Sequence, residues 1–150
     1  MAAVVVCLFP VIRPEGEEIM TIAGQLFGRS MAFSMRLDNQ QRIAWSEGSE
    51  NIRESIRIIL TTEPGERLML PNFGAGLKQF LFEPNTITTH RLIEEKIRQS
   101  IELWEPRINL DSIKVIEDED DSQAVWVMIR YTLVADQSND QLQLRVLLAG

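Results

Sequence analysis

Thr61-Thr62-Glu63-Pro64-Gly65-Glu66-Arg67-Leu68-Met69-Leu70-Pro71-Asn72-Phe73-Gly74 joins two helix-patterned stretches, and Trp104-Glu105-Pro106-Arg107 closes the second of them. Pro64-Gly65 fits the centre of a type II turn, because proline presets φ at the second position and glycine accepts positive φ at the third. Leu68 and Leu70 alternate with Arg67 and Met69, which predicts a short strand. Gly74 and Gly76 bracket a second bend. Leu77, Phe80 and Leu81 predict one or two helical turns that end before Pro84. Neither stretch has the residues of a catalytic centre, and both read as surfaces shaped for a partner.

Working upstream, Ile52, Ile56, Ile59 and Leu60 fall at helical spacing and predict one buried stripe, with Ser49 as N-cap and Arg53 and Arg57 on the wet side. Pro64 stops this helix. Before it, 33–37 and 42–46 flank the polar run Asp38-Asn39-Gln40-Gln41, the pattern of a hairpin. Residues 1–24 form an apolar arm, and residues 25–150 a single domain. Met1 to Pro10 lacks the positive flank and cleavage pattern of a signal peptide and is too short to cross a bilayer. It reads as a buried edge strand, or as an arm that adds to a partner's sheet. Ile19, Ile22, Ala23 and Leu26 predict a short helix ended by Gly28.

Downstream, a long helix is predicted from Asn85 or Thr86 to Trp104, with Ile93, Ile97, Ile101 and Trp104 as its buried stripe and Glu94–Arg98 as an i, i+4 pair. Pro106 ends it. Ile108 and Leu110 alternate on one parity, Ile113 and Val115 on the other, so a bulge is predicted at Asp111-Ser112. Glu117–Asp121 reads as a solvated acidic hairpin tip, with a hard-cation site as the lesser reading. Val125, Val127, Ile129, Tyr131 and Leu133 line one strand, and Leu142, Leu144, Val146 and Leu148 the next. The expected fold is α+β, with a helical middle of two main helices packed on a mostly antiparallel sheet that ends in a β-meander. Its last strand is a candidate open edge.

The chain has 150 residues, 45% hydrophobic and 25% charged, enough for a core without disulfides. A net charge of −7 argues against nucleic acid. One cysteine, Cys7, and one histidine, His90, exclude an internal disulfide and a His/Cys metal centre by counting, and no cofactor is expected. His90 reads as an exposed helix residue, so a Ser-His-Asp triad finds no support. Glu63, Glu66, Glu83 and Glu105 are acidic and near turns, but nothing pairs them as a glycosidase requires. No phosphate loop occurs. A binding role is better supported. Pro106 fixes the geometry between Glu105 and Arg107, Trp104 is a candidate anchor, and an arginine fork suits a carboxylate. Alternatively, Arg107 bridges inward to a carboxylate such as Glu66, and Phe73 is a core plug.

The order of these motifs resembles the small baseplate wedge proteins of contractile phage tails, with equivalents in type VI secretion systems and extracellular contractile injection particles. The residues that carry it are Gly28-Arg29, Ala32-Phe33, the Gly-Ser-Glu-Asn-Ile helix start, Pro64-Gly65-Glu66-Arg67, Phe73-Gly74, Leu81-Phe82-Glu83-Pro84 and Trp104-Glu105-Pro106-Arg107. Ser34 and Gln41 depart from it, standing where proline and glycine are frequent. The resemblance implies a non-enzymatic subunit that binds larger wedge proteins at Trp104, Glu105, Pro106 and Arg107, beside Glu66 and Arg67. It also implies a platform for a sheath protein, with sheath strands pairing along Leu142, Leu144, Val146 and Leu148. Six copies or a multiple are implied, assembled in the cytoplasm and then part of a tail-like particle. The alternatives are a peptidoglycan-cleaving, lysozyme-like enzyme and a generic strand-pairing adaptor.

Overall fold

The computed structural model describes residues 28–33, 35–37 and 41–148. The expected N-terminal strand and helix, Ser34 and the hairpin tip at 38–40 lie outside them. The chain divides into two compact units, one ending at Arg57 and one beginning at Ile58 within its described part. Among the described residues the architecture is α+β, with two main helices and two antiparallel sheets.

In the first unit, β1 (Arg29–Met31) pairs antiparallel with β2 (Trp45–Glu47), and Leu37 bridges Ile43. The hairpin exists, but its regular pairing starts at Arg29, before the stretch the sequence pattern marks. Gln41 takes φ 59, the left-handed conformation that glycine adopts without cost. Helix α1 (Gly48–Thr61) begins one residue ahead of Ser49, on a Gly48 with φ 65. Ser49 is therefore a first-turn residue and not the cap. Ile52, Ile56, Ile59 and Leu60 are buried as their spacing requires. Arg53 and Arg57 are half-buried and engaged, not on a wet face.

In the second unit, a 3₁₀ turn (Leu77–Phe80) precedes α2 (Ile87–Trp104), whose N-cap Thr86 accepts the Thr89 N–H at 3.3 Å. Ile93, Ile97 and Ile101 are fully buried, each worth about 1.5–3 kcal/mol of transfer free energy. Strands β3 (Ile108–Glu117), β4 (Ala124–Leu133) and β5 (Asn139–Leu147) form the expected meander in that order. The register shifts between Leu110 and Ser112, where the parity of the sequence switches. Glu94 does not serve Arg98; its carboxylate accepts the Val115 N–H of β3 at 3.1 Å. Helix α2 thus covers the outer edge of β3, which leaves β5 at the other end of the order.

Candidate docking site

The turn after α1 forms as expected. Glu66 N–H donates to the Glu63 carbonyl at 3.1 Å across a Gly65 with φ 93. Gly65 N–H donates to the Pro71 carbonyl at 2.7 Å and closes a loop. No strand follows. Leu70 N–H bonds the Arg67 carbonyl at 3.2 Å and Phe73 N–H the Leu70 carbonyl at 3.0 Å, so the segment is a succession of turns. The apolar alternation imitates a strand, but Pro64-Gly65 and Pro71 within so few residues favour turns. Gly74 ends the loop at φ 111, and a Cβ there would lie 2.2 Å from the Thr62 carbonyl oxygen, so any side chain would collide. Leu68 and Met69 stand 96% and 91% exposed at the tip.

Phe73 is half-buried and is not a core plug. The Arg67 guanidinium carbon lies 3.7 Å from its ring centroid, and the Trp104 ring packs at 5.1 Å, tilted by 58°. A guanidinium and two rings thus form one stack across the loop and the end of α2. Such contacts contribute about 0.5–1.5 kcal/mol each.

The chain leaves that stack at Glu105, which caps α2 by donating its N–H to the Ile101 carbonyl at 2.8 Å. Its carboxylate is 2% exposed, yet both oxygens are served by Arg107, Nε at 2.5 Å and Nη2 at 2.6 Å. Arg107 therefore bridges to Glu105 and not to Glu66. The Glu105 hydrogen bond holds the Arg107 guanidinium above its ordinary pKa, with burial opposing. Arg107 keeps 35% of its side chain exposed.

Glu66 accepts the Glu63 N–H at 3.1 Å and Lys78 Nζ at 3.3 Å, and these contacts hold its carboxyl below the usual range. Glu63 accepts the Lys78 N–H at 3.0 Å. A general acid needs a raised carboxyl, and Glu66 has the opposite shift. Glu83 borders a shallow groove with Phe82, Asn85, Ser122 and Leu148. His90 is buried, not exposed, with Nε2 2.5 Å from Asn85 Oδ1. Among the described residues no group of three or more His, Cys, Asp or Glu converges on a metal position, and no helix is long and apolar enough to cross a membrane.

The remaining candidates lie elsewhere. Leu142, Val146 and Leu148 are buried and Leu144 half-buried, so they face the core. The acidic tip is not simply solvated. Asp118 and Asp121 hold Arg145 of β5 at 2.6 and 3.0 Å, and the cation there is a side chain of the protein.

The profile of the family described as baseplate wedge protein gp25 matches residues 46–138. The chain is 33% identical over 116 residues to baseplate wedge protein gp25 of Enterobacteria phage T4, covering 77% of this chain and 86% of the phage protein. A baseplate chain of the anti-feeding prophage superposes with TM-score 0.71 at 29% identity, over 75% of this chain and 90% of that one. A protein of Geobacter sulfurreducens called a candidate tail lysozyme superposes with TM-score 0.62 at 34% identity, over 77% and 96%.

Proposed function

The chain belongs to the baseplate wedge protein gp25 family, and from that membership we propose that it is a non-enzymatic subunit of a six-fold contractile baseplate that docks larger wedge proteins at one end and sheath strands at the other. The observation that carries the wedge contact is the Arg67–Phe73–Trp104 stack leading into the Glu105–Arg107 fork. Rigid, half-exposed aromatic and arginine groups lose little entropy on docking and are the residue types that dominate interfaces. Leu68 and Met69 supply the apolar contacts beside them. Glu105 acts indirectly, by holding Arg107.

The sheath contact is a backbone one. Because the Val115 N–H goes to Glu94, antiparallel alternation turns Val127 towards β5 and its partner Leu144 back towards β4. The N–H groups of Gln141, Gln143 and Arg145 then point outward, and Gln141 N–H is met by its neighbour Asp140 at 2.8 Å. Strand addition would use that row.

Co-expression with the wedge and sheath proteins of the same machine tests both contacts. Leu68→Ser/Met69→Ser is expected to melt like the parent and to weaken wedge binding by roughly tenfold or more. Gln143→Pro is expected to keep the fold and lose sheath nucleation, whereas Leu144→Pro breaks the β4–β5 ladder. Normal incorporation of the first variant sinks the wedge contact, and normal sheath assembly on the second sinks the strand contact. Lytic activity of the purified parent on cell wall would restore the enzyme alternative.

A further inference from the structure

Neither the wedge contact nor the sheath contact uses Leu81-Phe82-Glu83-Pro84, the segment between the 3₁₀ turn and α2. Its backbone is fastened. Leu81 N–H bonds the Lys78 carbonyl and Glu83 N–H the Phe80 carbonyl, both at 3.1 Å. Asn85 Nδ2 donates to the Ser122 carbonyl at 2.8 Å, and Thr89 Oγ1 to the Pro84 carbonyl at 2.8 Å. The chain is thus pinned on both sides of Phe82, yet the ring stands 84% exposed, and Ile87 in the first turn of α2 stands 72% exposed. A large ring held out by a fixed backbone loses little further entropy when it docks. Beside it lies a groove of about 390 Å³, lined by Phe82, Pro84, Ser122, Gln123 and Leu148, at the small end of ligand-sized clefts.

Charge selects the occupant. Residues 82–87 and 117–123 hold Glu83, Glu117, Asp118, Glu119, Asp120 and Asp121 and no lysine or arginine. Arg145 answers Asp118 and Asp121. Among the described residues Glu83, Glu117, Glu119 and Asp120 meet no cation. The first cation of α2, Arg91, lies a turn beyond Ile87. The acids do not converge on a metal position. Acids without partners around an apolar step repel nucleic acid and the same pole of a second copy, and they attract a basic surface. We propose that this pole docks a short basic segment of a neighbouring baseplate subunit, with an apolar side chain seated against Phe82 and lysines or arginines reaching the acids; for the source of that segment the inference rests on the baseplate reading above.

The test places a photo-crosslinking benzoylphenylalanine at Phe82 in the full chain and irradiates purified particles. The expected adduct joins residue 82 to a segment of another subunit in which lysines or arginines flank an apolar side chain, identified by peptide mapping. An adduct with an acidic or uncharged segment, with a second copy, with residues 1–27, or no adduct in particles that contain the chain overturns the proposal. If the substituted chain fails to incorporate, Ile87 carries the photo-crosslinker and is read by the same criterion. Glu83→Gln/Glu119→Gln/Asp120→Gln in the same background is expected to melt no lower than the parent, because exposed like charges are removed, and to cut the adduct yield roughly fivefold or more. Parent-level yield overturns the proposal. If the triple variant melts early, Glu83→Gln, at the groove itself, is read in its place. Absence of the unsubstituted chain from particles overturns the baseplate reading, and this inference with it.

Discussion

Arg107 shows how a docking residue and a structural one become the same side chain. Its partner Glu105 is 2% exposed, so Arg107→Glu leaves two carboxylates together, one of them buried. We expect a loss of roughly 2–3 kcal/mol, less than for a fully buried pair because Arg107 is partly exposed; chemical denaturation measures it. Wedge binding is therefore better probed through Leu68 and Met69 than through charge reversal. Gly74→Ala is expected to prevent native packing, since the new carbon meets the Thr62 carbonyl. Gly65→Ala has open space and should cost only about 1–2 kcal/mol, for its positive φ. Thermal melts of the pair separate collision from strain. The Glu105–Arg107 pair was legible as two charges beside a fixed proline. That they serve each other was not, because spacing alone equally allows Glu66.

Among the elements, those written in a period were readable. The isoleucine stripes of both helices and the bulge at Asp111-Ser112 follow from where apolar parity holds or switches, and side-chain oxygens narrowed the cap of the second helix to Asn85 or Thr86, of which Thr86 serves. The loop at 67–70 misled for the same reason, since two leucines two apart satisfy a strand pattern while proline and glycine enforce turns. His90 was misjudged because its partner, Asn85, sits before the helix and not on it. In the hairpin, Gln41 occupies a left-handed position. Gln41→Gly is expected to stabilise the first unit by roughly 0.5 kcal/mol, after the entropic cost of glycine, as a small upward shift in melting temperature.

At the scale of the molecule, acidification should loosen the second unit before the core is challenged. Burial raises the Asp118 carboxyl, but the Asp120 N–H and Arg145 outweigh it and hold its pKa low; Glu66 and Asp136 are also held low. Groups depressed in this way stabilise the fold above their unfolded pKa, about 4, and lose that contribution as pH falls through the folded value. The melting-temperature deficit of Arg145→Gln should therefore be present at neutral pH and shrink as the pH falls through the lowered Asp118 pKa, where the parent loses that ion pair as well. The clasp itself was hidden from sequence patterning because Arg145 lies 27 residues beyond Asp118. Its position has a mechanical meaning. Arg145 pairs with Trp126 near the C-terminal end of β5 and ties that end to the β3–β4 tip. Tension along β5 loads the ladder in shear, with many hydrogen bonds sharing the force. Peeling from the C-terminal end must first break two ion pairs. A pull from that side therefore meets two ion pairs before it reaches the ladder, while at the opposite end Asn139 and Asp140 accept hydrogen bonds from Thr132 and Tyr131 of β4, so neither end of the strand frays freely.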